Sequence, residues 1–203
     1  MSKEISIPIA SDIRSTSASL SLLRQAGIVV AGSVLLAVCA HIAVPLFFTP
    51  VPLTLQPFAV LLLGLLLAPR MAAATHIIYL LEGAAGLPVF APSPLPGMAH
   101  LFGPTGGYLL AYPIAAVMIS LLYRRMRRGF GSALVSAALG DLLILLSGAA
   151  WLAISTHARV EFVLAQSIAP FLPGDALKVA AAAGIAMGVF RLRTQGTASP
   201  EHA

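Results

Sequence analysis

Two opposite charges, Asp175 and Lys178, lie at positions i and i+3 in the apolar stretch LPGDALKV. On a helix this spacing puts both side chains on one side, where the carboxylate could accept ligand N–H groups and the ammonium could bind an anion. An aspartate directly after Pro173-Gly174 is also an ordinary helix start. The lysine opposes the helix dipole and costs about 2.5 to 3.5 kcal/mol in lipid unless it is paired. A salt bridge could satisfy it without any ligand, so both interpretations stay open.

Two further acids lie inside apolar segments. Asp141 lies near the middle of Gly131–Ala153, and Glu82 lies late in Met71–Gly86. In lipid an ionised acid must face other helices or a cavity. A ligand contact or a proton-linked step would be functional, whereas a polar bond between helices contributes modest stability. We expect an interhelical bond for Asp141, and for Glu82 both interpretations stay open.

Other chemistries find little support. The five histidines have no pair at metal-ligand spacing, and Cys39 is the single cysteine, so we expect no metal site. The chain has no G-x-x-x-x-G-K-[ST] phosphate loop, and nothing in it implies a cofactor. No motif joins His76 or Glu82 to a nucleophile such as Ser136, so an intramembrane enzyme is the least favoured function.

Composition identifies the solvent of these residues. The chain has 203 residues, of which 59% are hydrophobic and 9% charged, with a mean hydropathy of +0.95. Such a chain cannot cover a core with polar surface, so the sequence predicts an all-α integral membrane protein. Six apolar segments predict transmembrane helices: Arg24–Pro45, Thr54–Ala68, Met71–Gly86, Gly106–Tyr123, Gly131–Ala153 and Gly174–Phe190.

The basic residues predict the orientation of these segments. With the N-terminus inside the cell, all but Arg159 and Lys178 of the twelve basic residues fall in cytoplasmic segments, as the positive-inside rule requires. They cluster at span ends without interleaved aromatics, so nucleic-acid binding is not indicated. We therefore predict both termini in the cytoplasm, disordered tails over residues 1–21 and 194–203, and a single six-helix membrane domain over residues 22–193.

The predicted outer loops are long, apolar and rich in proline and glycine. They run over Leu46–Leu53, Leu87–Thr105 and Ile154–Pro173. Loops of this length are commonly functional, and we expect the second to fold as a lid over the outer mouth of the bundle. Its apolar side chains would then be buried: Leu87, Val89, Phe90, Leu95, Met98, Leu101 and Phe102.

Four ordered motifs resemble the BioY family, the biotin-specific S components of energy-coupling-factor (ECF) transporters. They are PVPLTLQPFAVLLLGLLLAPR from Pro50, YLLEGAAGLPVFA from Tyr79, GPTGGYLLAYPIAA from Gly103 and PFLPGDALKVAAAA from Pro170. The resemblance implies a six-helix protein of the bacterial cell membrane that captures biotin at its outer face. A transmembrane coupling protein and two cytoplasmic ATPases would then drive inward release. A carrier of the same fold for another vitamin, or a biotin transporter that works without the ATPase module, stays an alternative.

The resemblance also favours ligand binding for the charged pair, because the family pattern carries this Asp-x-x-Lys. The candidate binding residues come from the span ends and the lid: Thr54, Gln56, Glu82, Phe90, Thr105, Gly107, Tyr108, Asp175 and Lys178. A small-residue face of the first span docks the coupling protein in this family. On that span the small-x-x-x-small spacings are Gly27 with Ala31 and Ser33 with Ala37, although internal helix packing produces the same spacing.

Overall fold

A computed structural model describes residues 9–157 and 159–196, which are predominantly helical. The helices are α1 (Ile9–His41), α2 (Gln56–Leu66), α3 (Pro69–Ala84), α4 (Met98–Leu101), α5 (Gly106–Arg125), α6 (Phe130–Thr156), α7 (Val160–Ser167) and α8 (Leu172–Gly196). Two short strands, β1 (Ala43–Val44) and β2 (Leu53–Thr54), lie between α1 and α2. Each of the six segments predicted to span the membrane overlaps one of the helices α1, α2, α3, α5, α6 and α8.

Within the part of the chain that the structure describes, three helical segments are both long and apolar enough to cross a bilayer by themselves: Leu20–His41, Gly106–Arg125 and Phe130–Thr156. Helix α2 is apolar but shorter. The number of spans and the side on which the termini lie therefore remain predictions.

The helix boundaries differ from the predicted domain boundaries at both ends. Helix α1 begins at Ile9, inside the segment predicted as an N-terminal tail, and α8 continues to Gly196, past the predicted end of the membrane domain. Residues 1–8 and 197–203, on which the rest of the tail prediction falls, lie outside the described residues. The division into tails and a membrane domain stays a prediction.

The segment between α1 and α2, which includes the predicted outer loop Leu46–Leu53, contains two short strands that the sequence did not predict. Strands β1 and β2 pair antiparallel, with Ala43 opposite Thr54 and Val44 opposite Leu53. Proline fixes φ and lacks an N–H, so Pro45, Pro50 and Pro52 favour an extended or turned chain here over a helix. The Leu55 N–H also donates to the Ile42 carbonyl (3.0 Å), and this ladder holds the end of α1 beside the start of α2.

The segment between α3 and α5 closes over the bundle with only part of its apolar residues. Phe90 and Leu101 are buried, and Val89 is half-buried. The expected burial of the others is wrong, because Leu87, Leu95, Met98 and Phe102 are exposed. The Phe90 ring packs edge-on against Tyr79 (5.4 Å between centroids) and covers Gly83, where a Cβ would overlap it. One aromatic anchor therefore holds the loop to α3.

Helix α5 is the centre of the bundle and packs against α2, α3 and α6. Of its apolar membrane-length window 61% is buried, against 22% for that of α1. Helices α5 and α6 approach each other closely at Gly148, where a Cβ would overlap the Tyr108 ring. The Tyr108 hydroxyl donates to the Ser167 carbonyl (3.0 Å), so this contact links α5, α6 and the segment before α8.

We expect Gly148→Ala to destabilise the protein by about 1 to 3 kcal/mol, because the added methyl must displace a buried ring that is fixed by a hydrogen bond. The matched control is Gly184→Ala on α8, where nothing lies within 4 Å of the new Cβ. Alanine favours a helix over glycine by about 0.5 to 1 kcal/mol, so the control should be neutral or stabilising. Thermal unfolding in detergent measures both, and equal behaviour of the two variants would contradict the packing described.

Candidate ligand-binding site

A cavity lies between the first turns of α2, α5 and α8 and the middle of α6. It encloses about 550 Å³, a volume that includes the space in its open mouth. Its apolar wall consists of Val51, Pro52, Pro57, Ala91, Leu109, Ile144, Leu145 and Phe171. Its polar groups are Thr54, Gln56, His100, Thr105, Tyr108, Tyr112, Asp141, Asp175 and Lys178.

The ion pair predicted from the sequence forms in this cavity. Lys178 Nζ donates to Asp175 Oδ1 at 2.8 Å, and both side chains are buried. The Asp175 N–H donates to the Phe171 carbonyl (2.8 Å), which places the aspartate in the first turn of α8. Burying an ion pair is costly unless its remaining donors and acceptors are satisfied. An ammonium has three N–H donors and a carboxylate has several acceptor sites, so the pair retains capacity for a ligand.

Asp141 also lines this cavity, and the expected hydrogen bond to another helix is absent among the described residues. Its carboxyl is 6% exposed and has no hydrogen-bonded partner among the described residues. The sequence indicates how far along α6 the acid lies, but the direction it faces depends on how α6 packs against α5 and α8. An acid that faces an apolar cavity without a protein partner is a candidate ligand contact.

Helix α5 contributes two tyrosines and a free carbonyl. The Tyr108 hydroxyl donates its hydrogen bond to the Ser167 carbonyl. Tyr112 lies one turn further along α5, and its hydroxyl has no hydrogen-bonded partner within the described ranges. Pro113 lacks the N–H that would bond to the Leu109 carbonyl, so this carbonyl loses its usual helical donor. Leu109 lines the cavity. The sequence analysis did not identify Tyr112, although the internal proline was a signal.

Gln56 and Thr54 reach the cavity at the start of α2. The Gln56 side-chain N–H donates to the Tyr79 hydroxyl (2.7 Å), which donates in turn to the Val89 carbonyl (2.9 Å). Thr54 Oγ1 accepts the Gln56 backbone N–H (3.3 Å). The Tyr79 bridge fixes the amide of Gln56, and its carbonyl oxygen remains an acceptor.

His100 and Thr105 connect the loop to the cavity. His100 Nδ1 lies 3.2 Å from the Leu95 carbonyl, and its Nε2 lies 3.2 Å from Thr105 Oγ1. Burial lowers the pKa of His100, which favours the neutral ring. Since a carbonyl can only accept, Nδ1 carries the proton and Nε2 accepts from Thr105. Thr105 was predicted from the sequence and His100 was not, because the burial of His100 comes from the fold of the loop.

Three predicted binding residues lie away from the cavity. Glu82 accepts a hydrogen bond from Ser33 on α1, which is the interhelical alternative for this acid. Phe90 packs against Tyr79 and against the His100 ring (4.9 Å), and so supports cavity residues from outside. Gly107 lies against Trp151, whose side chain a Cβ would overlap, and therefore serves the contact between α5 and α6.

The predicted docking residues on α1 divide between two faces. Gly27 and Ala31 are exposed, and nothing lies within 4 Å of a Cβ placed on Gly27. Ser33 is buried against Glu82, and Ala37 packs against the core. Only Gly27 and Ala31 are accessible to a partner, and their docking role stays a prediction.

The family model described as "BioY family" matches residues 10–195. The chain is 41% identical to the probable biotin transporter BioY of Pyrococcus horikoshii over 68% of this chain and 79% of that protein. It is 35% identical to the biotin transporter BioY of Thermotoga maritima over 85% of this chain and 98% of that protein.

A solved structure has the same fold. It is the crystal structure at 2.1 Å of the S-component for biotin from an ECF-type ABC transporter, which matches with a TM-score of 0.77 at 23% identity, over 86% of this chain and 93% of that chain.

The matched proteins are transporters, so the enzyme alternative is excluded, and the chain is a multi-pass membrane protein. The motifs that suggested the resemblance lie within the matched region, and the chain belongs to the BioY family.

Proposed function

We propose that this protein binds biotin in the cavity between α2, α5, α6 and α8 and takes part in high-affinity biotin uptake. The observation that carries the proposal is the buried pair of Asp175 and Lys178 at 2.8 Å in a largely apolar cavity. Relatives named as biotin transporters support the choice of ligand.

The chemistry of biotin fits the groups in the cavity. Its ureido ring has two N–H donors and a carbonyl acceptor, its thioether ring is apolar, and its chain ends in a carboxylate. Asp175, Asp141 and the Leu109 carbonyl are acceptors for the N–H groups, and the apolar wall suits the thioether ring. Lys178, with N–H donors beyond the one given to Asp175, can bind an oxygen of the ligand.

The cavity opens outward in the proposed topology of six spans with both termini in the cytoplasm. It is formed by the starts of α2, α5 and α8, whereas four arginines lie in the last turn of α5 and directly after it: Arg124, Arg125, Arg127 and Arg128. The positive-inside rule assigns those arginines to the cytoplasm. The proposed location is the plasma membrane of a bacterium, with the cavity accessible from outside.

Inward release is proposed to depend on an ECF module made of a transmembrane coupling protein and two cytoplasmic ATPases. The likeness in fold to an S-component supports this arrangement, and the sequence has no phosphate-loop motif of its own. The coupling protein would meet α1 at Gly27 and Ala31, the small residues that are exposed.

Uptake of labelled biotin by cells that lack other biotin transporters tests the whole proposal. We expect uptake when the chain is coexpressed with an ECF module, and at least tenfold less when the ATPases carry inactive phosphate loops. Undiminished uptake with inactive ATPases would overturn the role of the module and favour a transporter that works alone. Binding of another vitamin in place of biotin by the purified protein would overturn the ligand.

Asp175→Asn and Lys178→Met should each weaken biotin binding by roughly 10- to 100-fold, because each removes a charged partner of a ligand hydrogen bond, which contributes about 1.5 to 3 kcal/mol. Isothermal titration of the purified protein measures the change. Glu161→Gln and Arg159→Gln are the matched controls, because both residues are exposed at the start of α7. These two variants should retain wild-type affinity for biotin.

The double variant of Asp175 and Lys178 separates two roles for the lysine. If Lys178 only holds Asp175 in place, losing both should cost about as much as losing Asp175 alone. If each contacts biotin, the double variant should be weaker than either single variant. Wild-type affinity in both single variants would contradict the proposed site.

Asp141→Asn distinguishes a ligand contact from a helix-packing role. Because Asp141 has no hydrogen-bonded partner among the described residues, the variant should unfold at the wild-type temperature or higher. Loss of a charged acceptor for a ligand N–H should weaken biotin binding by roughly 10- to 100-fold, corresponding to about 1.5 to 3 kcal/mol. A lowered unfolding temperature with unchanged affinity would assign Asp141 to packing instead.

A further inference from the structure

A second cavity lies at the opposite ends of α2, α5 and α8, three of the helices that form the ligand cavity. It encloses about 660 Å³ including its mouth, between the last turns of α2 and α5 and the later turns of α8. Tyr108 lines the first cavity and Tyr123 lines the second, and at 1.5 Å per residue they are about 22 Å apart along α5. The second cavity therefore has no part in the proposed binding of biotin.

Three arginines converge on this cavity, two from around the end of α5 and one from α8: Arg124, Arg128 and Arg193. No acid among the described residues forms a salt bridge with any of them. The Arg124 Nε donates to Ser120 Oγ (3.3 Å), and the Arg128 guanidinium lies over the Phe190 ring at 5.5 Å. These contacts orient two guanidinium groups and leave most of their N–H donors available.

A buried hydroxyl in the cavity wall also lacks a partner. Tyr123 is 5% exposed, and its hydroxyl oxygen has no hydrogen-bonded partner within the described ranges. Most buried hydroxyls in native proteins have such a partner, and its loss is costly. Arginines at the cytoplasmic ends of helices are expected from the helix dipole and from the positive-inside rule. Neither effect explains the unpartnered hydroxyl or the convergence of three cations on one cavity.

We propose that this cavity binds a phosphate group with net negative charge. Planar guanidinium groups match phosphate oxygens through paired hydrogen bonds, and an anion would relieve the repulsion among three like charges. A small rearrangement of Tyr123 would give its hydroxyl an acceptor. An apolar wall lies beside the charges and consists of Leu65, Leu66 and Val189. Such a wall can contact the lipid part of an anionic phospholipid while the arginines bind its phosphodiester. Free phosphate has the same charged group.

Thermal unfolding of the full chain in detergent tests the proposal, with titration of phosphatidylglycerol, phosphatidylcholine or inorganic phosphate. The test variant is Arg124→Gln with Arg128→Gln. Its matched control is Arg125→Gln with Arg127→Gln, which removes the same charge from the same segment at exposed residues that do not line the cavity. We expect phosphatidylglycerol, but not phosphatidylcholine, to raise the unfolding temperature of the wild type and the control. Half-maximal stabilisation of the test variant should need at least tenfold more lipid.

Tyr123→Phe supplies a second, independent readout. Without added lipid it should unfold at the wild-type temperature or higher, because it removes an unpartnered hydroxyl, and with phosphatidylglycerol it should be stabilised less than the wild type. If inorganic phosphate reproduces the stabilisation in an Arg124- and Arg128-dependent way, the site takes free phosphate. Equal responses of the test and control variants, or no response to phosphatidylglycerol and phosphate, would overturn the proposal.

Discussion

The cost of burying charge in an apolar protein organises the ligand cavity. Asp175 and Lys178 lie in the first two turns of α8 inside the bundle, and each charge is tolerated there because the other neutralises it. Their position depends on where α8 begins, at Leu172. Pro170 and the short helix α7 precede this point and return the chain to the bundle. The Tyr108 hydroxyl fastens that return segment to α5 through Ser167. The pair and the helix that presents it are therefore fixed together.

Helix α5 connects the two functional ends of the molecule. Its first turns carry Tyr108, Tyr112 and the Leu109 carbonyl left without a helical donor by Pro113, and its last turn carries Tyr123 and Arg124. Among the described residues, two acids and one lysine line the first cavity, whereas the charged residues that line the second are arginines. This difference along one helix agrees with the positive-inside rule in the proposed topology, in which the arginine-lined cavity faces the cytoplasm.

The sequence predicted the helices and the charged pair because their signals are local. Apolar length identifies helices, and i,i+3 spacing places Asp175 beside Lys178 whatever the rest of the chain does. It could not predict contacts that depend on helix rotation. Asp141 faces the cavity while Glu82 bonds to Ser33, although both are single acids in apolar helices. Likewise Gly107 was ambiguous until its contact with Trp151 was known.

Charge balance suggests an orientation for the proposed ligand. A carboxylate placed beside Asp141 and Asp175 would meet two acids, whereas the ureido N–H groups would be attracted to both. Asp141 and Tyr112 lie further along their helices than the residues at the mouth, such as Thr105 and Pro52. The ureido ring is therefore expected beside the two acids inside the cavity, and the biotin carboxylate is expected at the mouth of the cavity. Lys178 has three N–H donors, so it can donate hydrogen bonds to Asp175 and to a ligand oxygen at the same time.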